Sequence, residues 1–297
     1  MSSSAQAAPR PRRAGYSSRF LGVAVPMPTL SGLPTTVLRH LHYSVLFRPD
    51  RKLAAVSSVM IDGRTLVDVK RTRDVWRLDE RVPTEAQAGP DVYEGNAFDR
   101  GHLTRRSDPA WGTSASAGSD DTFYYTNAAP QAAMFNESKQ LWAGLEDYLL
   151  DNAATYNRRL IVHTGPVLAD DDPAYRGLQI PRRFFKVVGF LDGAQLASTA
   201  YLLDQTPELP RPAAERGATE PVAADAPPAL GAYKTYQLPV QDVVRMTGLD
   251  FGPLPAVDRF AGPAHLGETG PANLEETGTW EQLRDAGDVI AGLARRR

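Results

Sequence analysis

A series of short apolar runs, most of them not separated by helical segments, sets the strongest limit on how this chain folds. "LHYSVLF" (41–47) and "LAAVSSVMID" (53–62) read as two strands parted by the turn-forming "RPDRK". "LIVHTGPVL" (160–168) is another apolar strand. "FFKVVGFL" (184–191) and "ASTAYLLDQ" (197–205) follow as an antiparallel pair with "DGAQ" as the turn. A doubly wound nucleotide fold needs strict alternation of strand and helix, which is missing here. Neither a P-loop nor a Gly-rich dinucleotide fingerprint is present. The pattern predicts an α+β fold on mainly antiparallel strands.

The remaining segments are less uniform. "TRDVWRLD" (72–79) reads as extended, and "DTFYYTN" (121–127) as a strand with Phe123 and Tyr125 on one face. Leu141, Trp142, Leu145, Tyr148 and Leu149 recur at helical spacing, which predicts an amphipathic helix from Lys139. "YQLPVQDVVRMTG" (236–248) gives a strand and a short helix closed by Gly248. A last helix is expected from Trp280 to Leu293, opened by a capping box, Thr279 to Gln282. Residues 206–231 carry six prolines and read as a solvated insertion loop.

With 297 residues, 42% of them hydrophobic, the chain can bury a sizeable core. Its net charge of −2 predicts no polyanion partner by itself, so any such affinity must come from local clusters. The absence of cysteine excludes disulfides, thiolate zinc sites and a cysteine nucleophile. No apolar run is long enough to span a bilayer. The first 20 residues are rich in Ser, Ala and Arg and lack the apolar centre of a secretory signal, which favours a disordered arm over a transit peptide and, by default, a cytoplasmic protein, with a secreted or organellar one as the alternative.

The chemistry gathers in "NAFDRGHLTRRSDPAWG" (96–112), where Asp99, Arg100, Gly101 and His102 stand in a row. Cutting a phosphodiester requires a base for water, positive charge at phosphorus and help for the leaving oxygen. A neutral imidazole suits the first task near neutral pH, and a guanidinium matches phosphate oxygens in the second. Mg²⁺ serves the second and third together, and one side-chain carbonyl such as Asn136 is enough to hold it, since the ion keeps several waters. Two strands followed by a helix, with His102 on the first strand and Asn136 at the helix start, would form a ββα unit around one metal. Glu146 lies further along that helix.

"FDRGHL" resembles the signature of the DNA/RNA non-specific endonucleases, the ββα-metal (His-Me finger) nucleases. "TNAAPQAAMFNESKQLWAGLED", "TGPVL", "IPRRFFKVV", "YLLDQ" and "YQLPVQDVVRMTGLDFG" follow in the family's order, so the resemblance covers residues 38 to 255. It implies a ββα-metal nuclease core on a mainly antiparallel sheet flanked by helices. It also implies a Mg²⁺-dependent endonuclease of DNA and RNA, with Mn²⁺ as a substitute metal. His102 would be the general base and Asn136 the metal ligand. Glu146 would hold metal-bound water or assist the leaving group. Arg100 and Arg73 would bind phosphate or stabilise developing charge, and Asn127 would orient groups beside it. The family often carries other residues where this chain has Ala128 and Ala129, which read as packing positions.

The implied domain plan is an arm over 1–35, a nuclease domain over 36–262 and a C-terminal extension with a helix over 263–297. The implied partners are the phosphate backbones of DNA and RNA, with room for an inhibitor protein and for a homodimer. A nuclease toxin and a catalytically silent nucleic-acid binder are the rival readings. His40 and His42 read as structural, since no third zinc ligand is evident, and His163 as a core or near-site histidine. Asp170, Asp171 and Asp172 read as a solvated loop. Lys70, Arg71, Arg73, Arg77 and Arg81 form one basic group, with backbone binding favoured, and Arg182, Arg183 and Lys186 form another.

Overall fold

The structure is a computed structural model that describes residues 12–70, 74–95, 98–132, 149–151, 153–155, 157–205, 234–260 and 280–283. Its strands in chain order are β1 (Thr29–Leu30), β2 (Thr36–Arg39), β3 (Tyr43–Arg48), β4 (Leu53–Asp62), β5 (Phe98–His102), β6 (Ala128–Ala132) and β7 (Arg159–Val167). There follow β8 (Ala174–Tyr175), β9 (Leu178–Gln179), β10 (Arg183–Asp192), β11 (Gln195–Asp204), β12 (Lys234–Leu238), β13 (Leu249–Asp250) and β14 (Glu281–Leu283). Eight of them form one antiparallel sheet in the order β14-β12-β11-β10-β7-β4-β3-β2. The pairs β5–β6, β8–β9 and β1–β13 stand apart from it.

Both faces of the central strands are covered, which explains why "LAAVSSVMID" is apolar without alternation: all ten residues of β4 are buried. On β10, Phe184, Val188 and Phe190 enter one core, while Phe185 and Val187 enter the other. The first core is closed by Phe98 and Ala129 of the β5–β6 ribbon, by Val92 and Tyr93 of the short helix Pro90–Tyr93, and by Tyr125. The second is closed by the helix Val240–Thr247, by Phe251 and Leu254, and by Leu21 and Val25. Gly248, at φ +68°, ends that helix in the left-handed conformation expected of it.

Three sequence expectations are corrected. Residues 12–35 are not a loose arm. Leu21 and Val25 are buried, β1 pairs with β13, and the Gly15 N–H donates to the His40 carbonyl at 3.0 Å. Two buried aliphatics and a strand pair outweigh the Pro- and Gly-rich composition that suggested disorder. Second, 121–127 is not a strand. The helix Ala115–Asp121 ends there and Tyr125–Asn127 is a 3-10 turn, with the Tyr124 bridge to Arg77 between them. Phe123 and Tyr125 do face inward, but across a turn. Third, β14 occupies the start of the expected C-terminal helix and pairs with β12, and the Trp280 indole donates to Asp242 Oδ2 at 2.9 Å. Backbone pairing with a strand edge and a buried indole override local helical periodicity. Residues 206–231 and 284–293, and most of the helix expected from Lys139, lie outside the described residues.

Candidate active site

Strand alternation brings the two key side chains of the signature to one face. Phe98, Arg100 and His102 point to one side of β5, and Asp99 and Gly101 to the other. β5 pairs with β6 in the register Arg100↔Pro130, Gly101↔Ala129 and His102↔Ala128. Arg100 is exposed and His102 partly buried. Glycine between them has a steric reason: a Cβ at Gly101 would lie 2.0 Å from Cδ of the buried Gln131. Ala128 and Ala129 are fully buried, as packing positions should be.

The chain leaving His102 is pinned by Asn127. The Leu103 N–H donates to the Asn127 carbonyl at 2.9 Å, and the Thr104 N–H to Asn127 Oδ1 at 3.0 Å. Asn127 Nδ2 donates to the carbonyls of Thr104 and Thr122, at 2.9 and 3.0 Å. Ser57 on β4 ties this bracket to the large sheet, donating to Asn127 Oδ1 at 2.9 Å and lying 2.7 Å from Thr104 Oγ1. Asn127 is fully buried with its amide spent inside the fold, so it shapes the site from beneath.

Around the imidazole, Trp76 stands 4.6 Å away between ring centroids and Phe123 5.0 Å away, edge-on. Thr122 Oγ1 donates to the Ser119 carbonyl at 2.8 Å and lies 3.5 Å from His102 Nε2. Because the hydroxyl proton is spent on Ser119, Thr122 meets the ring as an acceptor. The Arg100 guanidinium carbon lies 5.6 Å from the centre of Trp76. Behind this shell sits a buried charge cluster. Asp121 accepts from Arg13 and from the Leu41 N–H at 2.9 Å, and His40 stacks on Tyr43 at 4.5 Å. Burial lowers the pKa of His40 and keeps it neutral. Burial opposes the charge of Asp121, but its partners outweigh that and hold its pKa at about 2. These contacts fix the turn that delivers Thr122 and Phe123 to the site.

Of the residues expected at the site, His102, Arg100 and Asn127 are brought together. Arg73, Asn136 and Glu146 lie outside the described residues. Trp76, Thr122, Phe123 and Ser57 went unread in the sequence, where an isolated tryptophan, threonine or serine carries no spacing signal. Among the described residues no group of three or more His, Asp or Glu side chains converges, so the described part of the site offers a metal no carboxylate cage. An ion held by one asparagine oxygen and water needs none.

The two basic groups divide. Arg81 is engaged by Asp79 at 2.6 Å and by His40 at 3.0 Å, so it serves the fold. Lys186, 1% exposed, donates to Thr164 at 2.9 Å, and Arg182 lies 3.2 Å from Asp171 and 3.5 Å from Asp172. Asp170 and Asp171 are exposed, as a solvated loop requires, but Asp172 is buried. His40 and His42 form no pair: His42 stacks instead on Trp111 at 3.5 Å. His163 is a core residue, 2.8 Å from Ser58 Oγ through Nδ1. His265 lies outside the described residues.

The sequence profile of the family named DNA/RNA non-specific endonuclease matches residues 27–258. The chain belongs to that family. It is 36% identical over 277 residues to the uncharacterized protein y4fB of Sinorhizobium fredii, covering 85% of this chain and 41% of that protein. It is 32% identical over 146 residues to human mitochondrial endonuclease G, covering 44% of this chain and 47% of that protein. A nuclease of Nostoc is 25% identical over 183 residues, 60% of each chain. The chain thus spans less than two thirds of each of these relatives. Among solved structures, that of an EndoG/EndoGI complex, which addresses how EndoG is inhibited, matches with a TM-score of 0.52 at 20% identity, over 72% of this chain and 84% of that one. That likeness establishes the fold: α+β, a ββα-metal nuclease type on a mainly antiparallel sheet.

Proposed function

We propose that this chain is a Mg²⁺-dependent endonuclease that hydrolyses DNA and RNA with little sequence preference. The observation that carries the reading is the placement of His102 and Arg100 on one face of β5, with the chain after His102 anchored to the sheet through Asn127 and Ser57. In this reading His102 accepts the proton of the attacking water. Thr122, meeting the ring as an acceptor, assigns the imidazole proton to Nε2 and the basic lone pair to Nδ1. Arg100, exposed on the same face, holds a phosphate oxygen and offsets the charge that grows as the P–O bond to the leaving sugar breaks. Asn136 is the proposed holder of the metal, Glu146 holds water on it or assists the leaving group, and Arg73 is a second phosphate contact. When bound, Mg²⁺ supplies charge neutralisation at phosphorus and at the departing oxygen.

The decisive experiment compares wild type and His102→Ala on supercoiled plasmid and on RNA, with Mg²⁺, with Mn²⁺ and with EDTA. A general base is typically worth about 10²- to 10⁴-fold, so the variant should lose at least about two orders of magnitude. Retention of more than about a tenth of wild-type cleavage would remove His102 from that role. Cleavage undiminished by EDTA would remove the metal from the reading. An inhibitor protein as partner is a second reading, supported by the solved neighbour, an EndoG/EndoGI complex in which EndoG is inhibited.

A further inference from the structure

Trp76 packs against the first core from beside the site. It is partly buried and touches both reactive side chains, with His102 at 4.6 Å and Arg100 at 5.6 Å. Three rings surround it: His102 and Tyr125 are each tilted by 42°, and Phe123 stands at 78°. None of these rings lies parallel to the indole, and the group over it is the exposed Arg100 guanidinium. Val75 beside it is 55% exposed, which puts this stretch of chain at the surface. In sequence, "KRTRDVWR" (70–77) carries four basic residues, of which Arg77 donates to the Asp120 carbonyl and Arg71 and Arg73 lie outside the described residues. Basic side chains along a phosphate backbone with an aromatic between them are the means by which proteins hold unpaired strands.

We propose that Trp76 is a stacking platform for one unpaired nucleobase beside the phosphate at His102, and that it turns the site toward single-stranded DNA and RNA. The inference deepens the nuclease reading and rests on it. Arg100 takes the phosphate while the indole takes the adjoining base, which fixes the phosphodiester between two points before the water attacks. In a duplex that base is already stacked and paired, and bringing it onto the indole means pulling it out of the helix. A single strand carries no such cost. Because every base has a π-face, the platform favours unpaired strands without selecting a sequence.

The test is fluorescence anisotropy in EDTA, using a labelled single-stranded oligonucleotide and the same backbone with abasic residues throughout. Wild type should prefer the strand that carries bases by about 5- to 150-fold, the range for one base on one aromatic. Trp76→Leu should bind the two strands alike, and Trp76→Phe should keep most of the preference. With Mg²⁺, wild type should cut a single strand faster than its duplex, and Trp76→Leu should lose that difference. Equal binding of both strands by wild type would overturn the platform while leaving the nuclease reading intact. Folded wild type that cuts neither strand would overturn both. The comparison of the two strands on wild type needs no variant, so a Trp76→Leu protein that fails to fold would not leave the question open.

Discussion

At the scale of single residues, Gly101 shows how a signature can be steric and chemical at once. In the proposed reaction His102 and Arg100 handle proton and charge, but the glycine between them is dictated by Gln131, whose Cδ lies 2.0 Å from where a Cβ would sit. Gly101→Ala is therefore expected to cost about 1–3 kcal/mol by overpacking, and Gln131→Ala in the same chain should recover most of it. A denaturant double-mutant cycle checks this; additive effects would mean that the clash is relieved elsewhere. Asn127 is the other residue whose deletion reaches beyond itself. Asn127→Ala leaves the buried Thr104 and Thr122 backbone groups without their partners, an expected loss of about 2–4 kcal/mol. Its kcat should fall more than its KM rises, since His102 loses its support while Arg100 does not. The reverse split would place Asn127 in substrate binding.

At the scale of elements, the legible parts were those whose local pattern and tertiary environment agree. β10 and β11 were visible because their ten-pair ladder carries apolar side chains to both faces and a glycine turn joins them. "DTFYYTN" failed for a physical reason: inward-facing aromatics two apart mark a strand or a turn equally well, and the end of the preceding helix decides for the turn. The start of the C-terminal segment failed because edge pairing is a non-local fact. Trp280 contributes to that edge through its buried ring and its bond to Asp242. Trp280→Ala is expected to cost about 3–5 kcal/mol, and amide exchange should rise along β12 in particular. Protection of β12 unchanged from wild type would separate the indole from the strand it follows. The site was legible in part: His102 and Arg100 carry a motif, whereas Trp76 and Thr122 arrive from distant segments that only the fold brings together.

At the scale of the whole molecule, buried histidines couple stability to acidity. Burial holds His163 at a pKa of about 3, below its ordinary 6.5, and lowers His40 as well. The unfolded chain takes up these protons near pH 6.5 and the native protein resists them, so this stability is complete above pH 6.5 and drains away as the pH falls toward 3. His163 contributes a slope of about 1.4 kcal/mol per pH unit once well below 6.5. Urea midpoints at pH 7 and pH 5 should differ accordingly, and His163→Gln should flatten the difference by the share of one group. An equal drop in both proteins would assign the acid sensitivity elsewhere.

The pairing of β1 with β13 carries a consequence for how the protein comes into being. Thr29 waits for Asp250, and Arg13 waits for Asp121 beside the Thr122–His102 contact. The β1–β13 pair therefore forms only after the chain through Asp250 has been made.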